Sequence, residues 1–530
     1  MTAKPERFDA IVVGGGHNGL VNGAYLSRAG LKTLVLERRH VVGGAAVTEE
    51  LVPGFRFTTF SYALSLVRPD IVQDLDLVKH GMLVHPLVNT FHPGLDGEHI
   101  LLGADAHANY HEIARHSVED AEGAKDLSHR VARVCRALKP WMDRIPPNVL
   151  SSDPAEIAEL AELRDYMTGL DSEVREMMER FVTASAGEIL DEYLDHELVK
   201  GLFVSSGIIG SKVSPRDRES GLVWLFHKMG DFDGQPGAWG FHKNGNGGFT
   251  QVLARAVEAF GGTIRTNAGV ERVLYDDGHA RGVELEDGTR LEAEVVVSAL
   301  DPRQTFMRLV DPSDLPADLV SHLEAYKFQG SAAKVNFALS GLPRFPGLDG
   351  REDIYQGFTN IGPTIPYLEE AFADCRAGRF SRRPFLDSCI QSTIDPDMSP
   401  PGKHIMSCFV MYAPYHLAQG DWDTERSNLG DTVQETLEEF FPGFGDLVLH
   451  REIVTPLDIE RLIGLTEGNI FAGELFESQL FFNRPAPGWN QYRTPIEGYY
   501  QCGSGTHPGG CVSGGPGRLA ALRILDDRRR

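Results

Sequence analysis

The first forty-eight residues constrain the fold more than any other stretch of the chain. Residues 8–13, FDAIVV, are a short apolar run suited to a buried parallel strand. Gly14, Gly16 and Gly19 follow in VVGGGHNGL, with Gly15, His17 and Asn18 inside the same turn. Residues 22–29 read as a helix that stops near Gly30; Thr33 to Leu36 is a second apolar strand, ended by Glu37. Strand, glycine turn, helix, strand and acid fit within the ~30 residues of a dinucleotide-binding βαβ unit. Gly14 permits the tight turn, Gly16 lets the backbone approach a pyrophosphate, and Gly19 lets helix and strand pack closely. The helix start offers free amides and a partial positive charge to that pyrophosphate. Glu37, 18 residues past Gly19, is placed to accept from both ribose hydroxyls of an adenosine and disfavours the extra phosphate of NADP. A lone GxGxxG is weak evidence; here the context on both sides is complete. The motif alone does not choose between NAD and FAD.

Composition narrows the surroundings. A chain of 530 residues with 42% apolar residues has material for two to four domains and a large core. A net charge of −24 repels nucleic-acid phosphates and anionic lipid. Six cysteines without a CxxC write neither a zinc ribbon nor a thioredoxin-like pair. They read as free thiols in a reducing compartment, which points to the cytoplasm. No apolar run approaches the ~20 residues that span a bilayer, which leaves only peripheral membrane contact open. The leader 1–7 is too short for a transit peptide, and the basic tail 528–530 reads as a solvated end.

Further on, FHKNGNGGFT (241–250) leads into a helical stretch, 251–260. Gly245, Gly247 and Gly248 read as a loop before that helix, not as a second dinucleotide turn. Short strands at 263–266, 270–275, 280–285 and 294–299 alternate with Asp-Gly turns, a pattern of antiparallel hairpins and a return strand. Helical periodicity marks 155–163 and 174–182. Near the end, the strand GYYQC (498–502) runs into a glycine-rich loop, 503–517, and then a helix over 518–525.

These segments resemble the amine oxidase and phytoene desaturase superfamily of flavoproteins, and one phytoene-desaturase-like branch in particular. The resemblance is carried by GHNGLV, by ERRHVVGGAAVTEELVPGF with its doublet Gly43-Gly44, by SYALSLVRP, by GNIFAGEL (468–475) and by YYQCGSGTHPGG. It implies FAD as the cofactor and an α/β fold: a Rossmann-type, glutathione-reductase-like FAD-binding domain (1–60, 241–310 and 461–530) with a discontinuous α+β substrate domain (61–240 and 311–460). It implies that Arg38, Gly43, Gly44 and Ala45 border the flavin's ribityl-phosphate region and that the Val270 backbone meets adenine. Gly503, Ser504, Gly510, Cys511 and Val512 would face the flavin, where amides stabilise charge at N1 and O2 on reduction. Ala45 stands where an arginine often follows the doublet, which argues against an amine oxidase.

The remaining constellations are weaker. His507, in the GTHPGG loop, is the one candidate catalytic base. His107 and His111 at i, i+4 form half of a metal site at most, so no metal is expected. Cys502 and Cys511 stand nine residues apart, unlike the redox pair of a disulphide reductase. The leading expectation is an FAD-dependent dehydrogenase or desaturase taking hydride from a largely apolar small molecule, with oxygen or a quinone among the acceptors left open. A flavin oxidase of amines or alcohols and a non-catalytic FAD-binding protein are the alternatives.

Overall fold

The apolar run at the start forms the strand Glu6–Val13, in which Ala10, Ile11 and Val12 are completely buried. Such burial on both faces requires neighbours on both sides. Thr33–Leu36 supplies one in parallel register (Ala10 with Thr33), and Arg290–Ser298 the other (Ala10 with Val295). The structure, a computed structural model, describes residues 6–232 and 235–529; residues 1–5 of the leader and Arg530 of the tail lie outside them.

Among the described residues, the first of two seven-stranded sheets runs Thr263–Arg265, Thr33–Leu36, Glu6–Val13, Arg290–Ser298, His279–Leu285, Val270–Asp276. Its seventh strand, Tyr499–Gln501, pairs in parallel with the carboxyl half of Arg290–Ser298. The sheet is thus assembled from the start, middle and end of the chain. The hairpin expected at residues 276–278 is there: Asp276 faces His279, and Asp277 and Gly278 take φ of 48° and 74°. Two successive positive φ values make the tight turn whose twist matches its strands. The chain then returns through Arg290–Ser298 beside the first strand.

The second sheet runs Val448–Val454, Ala332–Leu339, His404–Met411, Phe385–Cys389, Phe358–Ile361, Asn89–Pro93, His99–Gly103. All eight residues of Ala332–Leu339 are buried. The helix Trp422–Phe440 covers one face, placing Leu429, Val433 and Leu437 in the same apolar cluster as Val335 and Phe337. The other face turns toward the first sheet and a group of helices that includes Val118–Met142, Ser172–Thr183 and Glu219–Lys228. No helix of the described residues is long and apolar enough to cross a membrane.

Three expected boundaries move. The first helix is His17–Arg28, beginning five residues earlier than its sequence suggests. No side chain caps it, so the usual N-terminal signal is absent. Gly245–Gly248 form the first turn of the helix Gly245–Ala259, not a loop ahead of it. Close packing explains the glycine there: a Cβ on Gly247 would lie 2.3 Å from the Thr48 amide nitrogen. The last helix is Gly515–Asp527, started by Pro516, whose missing N–H costs nothing in a first turn. Gly510, Cys511 and Val512 stay in the loop that precedes it.

Candidate functional site

Ligands of open α/β sheets sit beyond the carboxyl ends of parallel strands. Here Val13, Leu36, Ala299 and Leu300, at three such ends, border a cavity of about 670 Å³ that continues to the inner face of the second sheet. Gly14, Gly16, His17, Asn18, Gly19, Glu37, Arg38, Gly44, Ala45, Val270, Ser504, Cys511 and Val512 all border it. Gly14 and Val512, 498 positions apart in sequence, are therefore brought together. Gly15, Gly43, Gly503 and Gly510 stand just behind the wall. The Gly43 amide donates to the Gly15 carbonyl at 2.8 Å. A Cβ on Gly503 would lie 2.1 Å from the Leu300 carbonyl oxygen, and one on Gly510 2.8 Å from the Phe471 Cα.

The glycines divide by what a side chain would meet. Gly14 has φ +102°, a region that L side chains avoid. A Cβ on Gly19 would lie 2.0 Å from the Gly14 carbonyl oxygen. A Cβ on Gly16 would meet nothing within 4 Å, so that backbone stands open to the cavity. Gly16 caps the first helix with no side-chain bond, leaving the first-turn amides without intrahelical acceptors. The buried His17 Nε2 and Asn18 Oδ1 have no hydrogen-bond partner. Open backbone, orphan amides and unpartnered polar atoms at one helix start fit a pyrophosphate.

Glu37 is buried and aimed inward. Its Oε2 accepts from the Gly15 amide and its Oε1 from the Arg39 amide, each at 2.9 Å. These bonds fix the carboxylate at the cavity wall. The two ends of the chain are tied here. Asn18 Nδ2 donates to Ser504 Oγ at 3.2 Å, and Asn22 Nδ2 to the Gly517 carbonyl at 3.0 Å. Burial pushes His17 down to about 4, opposed by a bond to the Cys511 backbone, so its ring is neutral. Behind the loop lies Arg484, completely buried, which donates to the carbonyls of Phe471, Glu474, Gln479 and Ser504. Its guanidinium clamps GNIFAGEL to the 503–510 loop.

His507 does not border the cavity. Its Nε2 bonds the Trp141 carbonyl at 3.2 Å and its ring lies edge-on to Phe481. Burial pushes it down to about 3. A catalytic base must reach the proton that it takes; His507 is walled off and joins the loop to the helix Val118–Met142. His107 and His111 share the exposed helix Ala106–Ala114, Nε2 to Nε2 3.2 Å apart, and no group of three or more metal-ligating side chains gathers among the described residues. Cys502 is buried and Cys511 half-buried; all six cysteines are free. Burial pushes the Cys511 thiol up to about 12, far from the thiolate that disulphide exchange needs.

The far end of the cavity holds residues to which the sequence reading gave no role. Tyr62, Trp239, Phe358 and Phe409 give it an aromatic lining, with Lys334, Asn360 and Asp387 among them. The Tyr62 hydroxyl donates to Asp387 Oδ2 at 2.6 Å, and Lys334 Nζ stands 4.0 Å over the Tyr62 ring. Burial pushes Asp387 up, and Lys334 down, to about 7 each. A single charge within an apolar strand, as in AAKVNFAL and FLDSC, was the signal that could have marked both.

Residues 137–515 match the flavin-containing amine oxidoreductase model, and residues 12–75 match the NAD(P)-binding Rossmann-like domain. The chain belongs to the flavin-containing amine oxidoreductase family. It is an FAD-dependent oxidoreductase. It is 38% identical to pyridine nucleotide-disulfide oxidoreductase domain-containing protein 2 of Rattus norvegicus, over 99% of this chain and 94% of that protein. It is 26% identical to phytoene desaturase (lycopene-forming) of Paracoccus sp., over 99% and 98%. The resemblance read from the motifs therefore extends along the whole chain. In fold it is similar to an oxidoreductase from Methanosarcina mazei, with TM-score 0.61 and 17% identity over 98% of this chain and all of the other.

Proposed function

We propose that FAD lies along the cavity with its adenosine at Glu37 and Val270, its pyrophosphate on the first helix, and its isoalloxazine toward Ser504, Cys511 and Val512. We further propose that the enzyme takes hydride from a largely apolar small molecule held at the second sheet. The observation that carries this reading is the continuity of one cavity from the glycine turn to the aromatic-lined sheet face. Bound FAD supplies a two-electron acceptor at its N5; the protein supplies orientation and electrostatics. The aromatic lining holds an apolar body and excludes water. The Gly14–Gly19 turn and Glu37 hold the nucleotide half, and His17, neutral because it is buried, adds a hydrogen bond without charge.

In this reading 1–60, 241–310 and 461–530 form the glutathione-reductase-like FAD domain, and 61–240 with 311–460 the substrate domain. The six free thiols suit a reducing cytoplasm. The aromatic lining of the far end of the cavity and the phytoene in the name of the desaturase relative favour desaturase-type chemistry over oxidation of an amine. The test is direct. The purified protein is yellow and releases FAD, not FMN, on denaturation, and an anaerobic screen of apolar alkenes and terpenoids bleaches the flavin. A colourless protein without affinity for FAD would refute the cofactor placement. Bleaching by primary amines alone would overturn the substrate class.

A further inference from the structure

The sheet face that closes the cavity carries a line of side chains across four strands. Lys334 faces Phe409, Phe409 faces Asp387, and Asp387 faces Asn360 in the cross-strand register. All four border the cavity. Cross-strand partners project from the same face and neighbouring strands lie about 4.8 Å apart. Asp387 and Asn360 are thus immediate neighbours, while Lys334 stands two strands from Asp387, across the Phe409 ring.

Two acceptors in this line are orphaned. Asp387 Oδ1 and Asn360 Oδ1 are buried without a hydrogen-bond partner, although the other Asp387 oxygen is taken by Tyr62. A buried acceptor without a donor costs roughly 1–3 kcal/mol, and a ligand that brings the donor recovers it. The charge around the pair decides what kind of donor. Lys334 borders this end opposite the single carboxyl of Asp387 and hydrogen-bonds Ser407. Lys334 and Asp387 cancel in charge, so no surplus negative charge draws in a cationic head and the neighbouring lysine opposes one. A neutral donor meets no such opposition.

We propose that the adjacent Asp387 and Asn360 side chains receive a hydroxyl group on an otherwise apolar substrate, anchoring it so that a distal C–H bond is presented for oxidation. The proposal rests on the reading that this end of the cavity holds the substrate, and it adds the polar group by which that substrate is recognised.

The FAD-loaded enzyme, titrated anaerobically with ethylbenzene, 2-phenylethanol and 2-phenylethylamine, reports occupancy through shifts of the flavin absorption bands. The alcohol binds about tenfold more tightly than the hydrocarbon, and more tightly than the amine. Asp387→Leu brings the alcohol down to the hydrocarbon's affinity and leaves the hydrocarbon unchanged, while Asp387→Asn, which keeps an acceptor, retains most of the preference. Should Asp387→Leu fail to load FAD, Asn360→Leu carries the same comparison. Equal binding of alcohol and hydrocarbon overturns the inference, as does an amine that binds tightest and loses that affinity in Asp387→Leu. If none of the three shifts the bands of an enzyme that carries FAD, the substrate chamber itself is misplaced and this inference falls with it, while the cofactor placement stands.

Discussion

The two ends of the cavity solve the same problem, holding a ligand away from water, with different material. At the glycine end the wall is largely backbone, and its charged side chains Glu37 and Arg484 are held by main-chain bonds, Glu37 by the Gly15 and Arg39 amides and Arg484 by four carbonyls. At the sheet end the wall is side chains on strands, and Asp387 and Asn360 each leave an acceptor unpartnered. A backbone wall tolerates no added atom where it is close-packed and binds the invariant part of a ligand. A side-chain wall can be altered residue by residue, so the chemistry of the variable ligand is written there.

The largest effects separate packing from binding at the glycine end. Gly19→Ala forces a Cβ to 2.0 Å from a backbone oxygen. Overpacking of this kind costs about 1–3 kcal/mol or more, so this variant loses several degrees of melting temperature and all of its flavin colour. Gly16→Ala adds a Cβ where the chain has nothing within 4 Å. It folds with stability within about 1 kcal/mol of the wild type, yet FAD affinity falls at least tenfold. Thermal unfolding of the apo proteins and FAD titration check both. An unaltered FAD affinity in Gly16→Ala would remove the pyrophosphate from this turn.

The sheet end has its own signature in pH. Burial raises Asp387 to about 7, so the folded state prefers the protonated acid. Folding stability from this group is intact below about pH 4, the unfolded value, and is lost as pH rises through 7. Tyr62, Lys334, Cys389 and Cys408 face or act on the same carboxyl. Asp387→Asn is accordingly more stable than the wild type at pH 8, by about 1–2 kcal/mol, and the gain vanishes toward pH 4. Denaturant unfolding at the two pH values measures it; a gain that is constant with pH would mean that the carboxyl is not buried as charged.

Between the two ends lies Val512, which borders the cavity three residues before the last helix. On the proposed placement of FAD, Val512→Asp puts a carboxylate where negative charge develops on flavin reduction. It lowers the flavin potential and slows reduction in protein that still binds FAD; an unchanged potential would withdraw Val512 from the flavin's pyrimidine edge. The smallest effect is expected of the thiols. Cys502→Ser and Cys511→Ser leave substrate-driven flavin reduction within about twofold, because a buried thiol acts here as a small apolar group, and NADPH with a disulphide gives no turnover in the wild type. Rapid turnover would contradict the absence of a cysteine pair.

The amino-acid sequence alone determined the nucleotide half. Gly14, Gly16, Gly19 and Glu37 lie within one βαβ unit, and a contiguous motif is legible because its geometry is local. The Asp-Gly turns were legible for the same reason: positive φ values select glycine wherever the turn sits. Helix starts at Gly16 and Gly514 were misplaced because neither carries a capping side chain that a reader could see. His507 looked catalytic in a motif loop until the tertiary structure turned its ring toward Trp141. The sheet end of the cavity was invisible. Tyr62, Lys334, Asn360 and Asp387 come from four separated segments, and only strand register aligns the last three on one face. Register is a long-range property, fixed by the packing of whole strands, and a shift of one residue would turn each of those side chains away from the cavity.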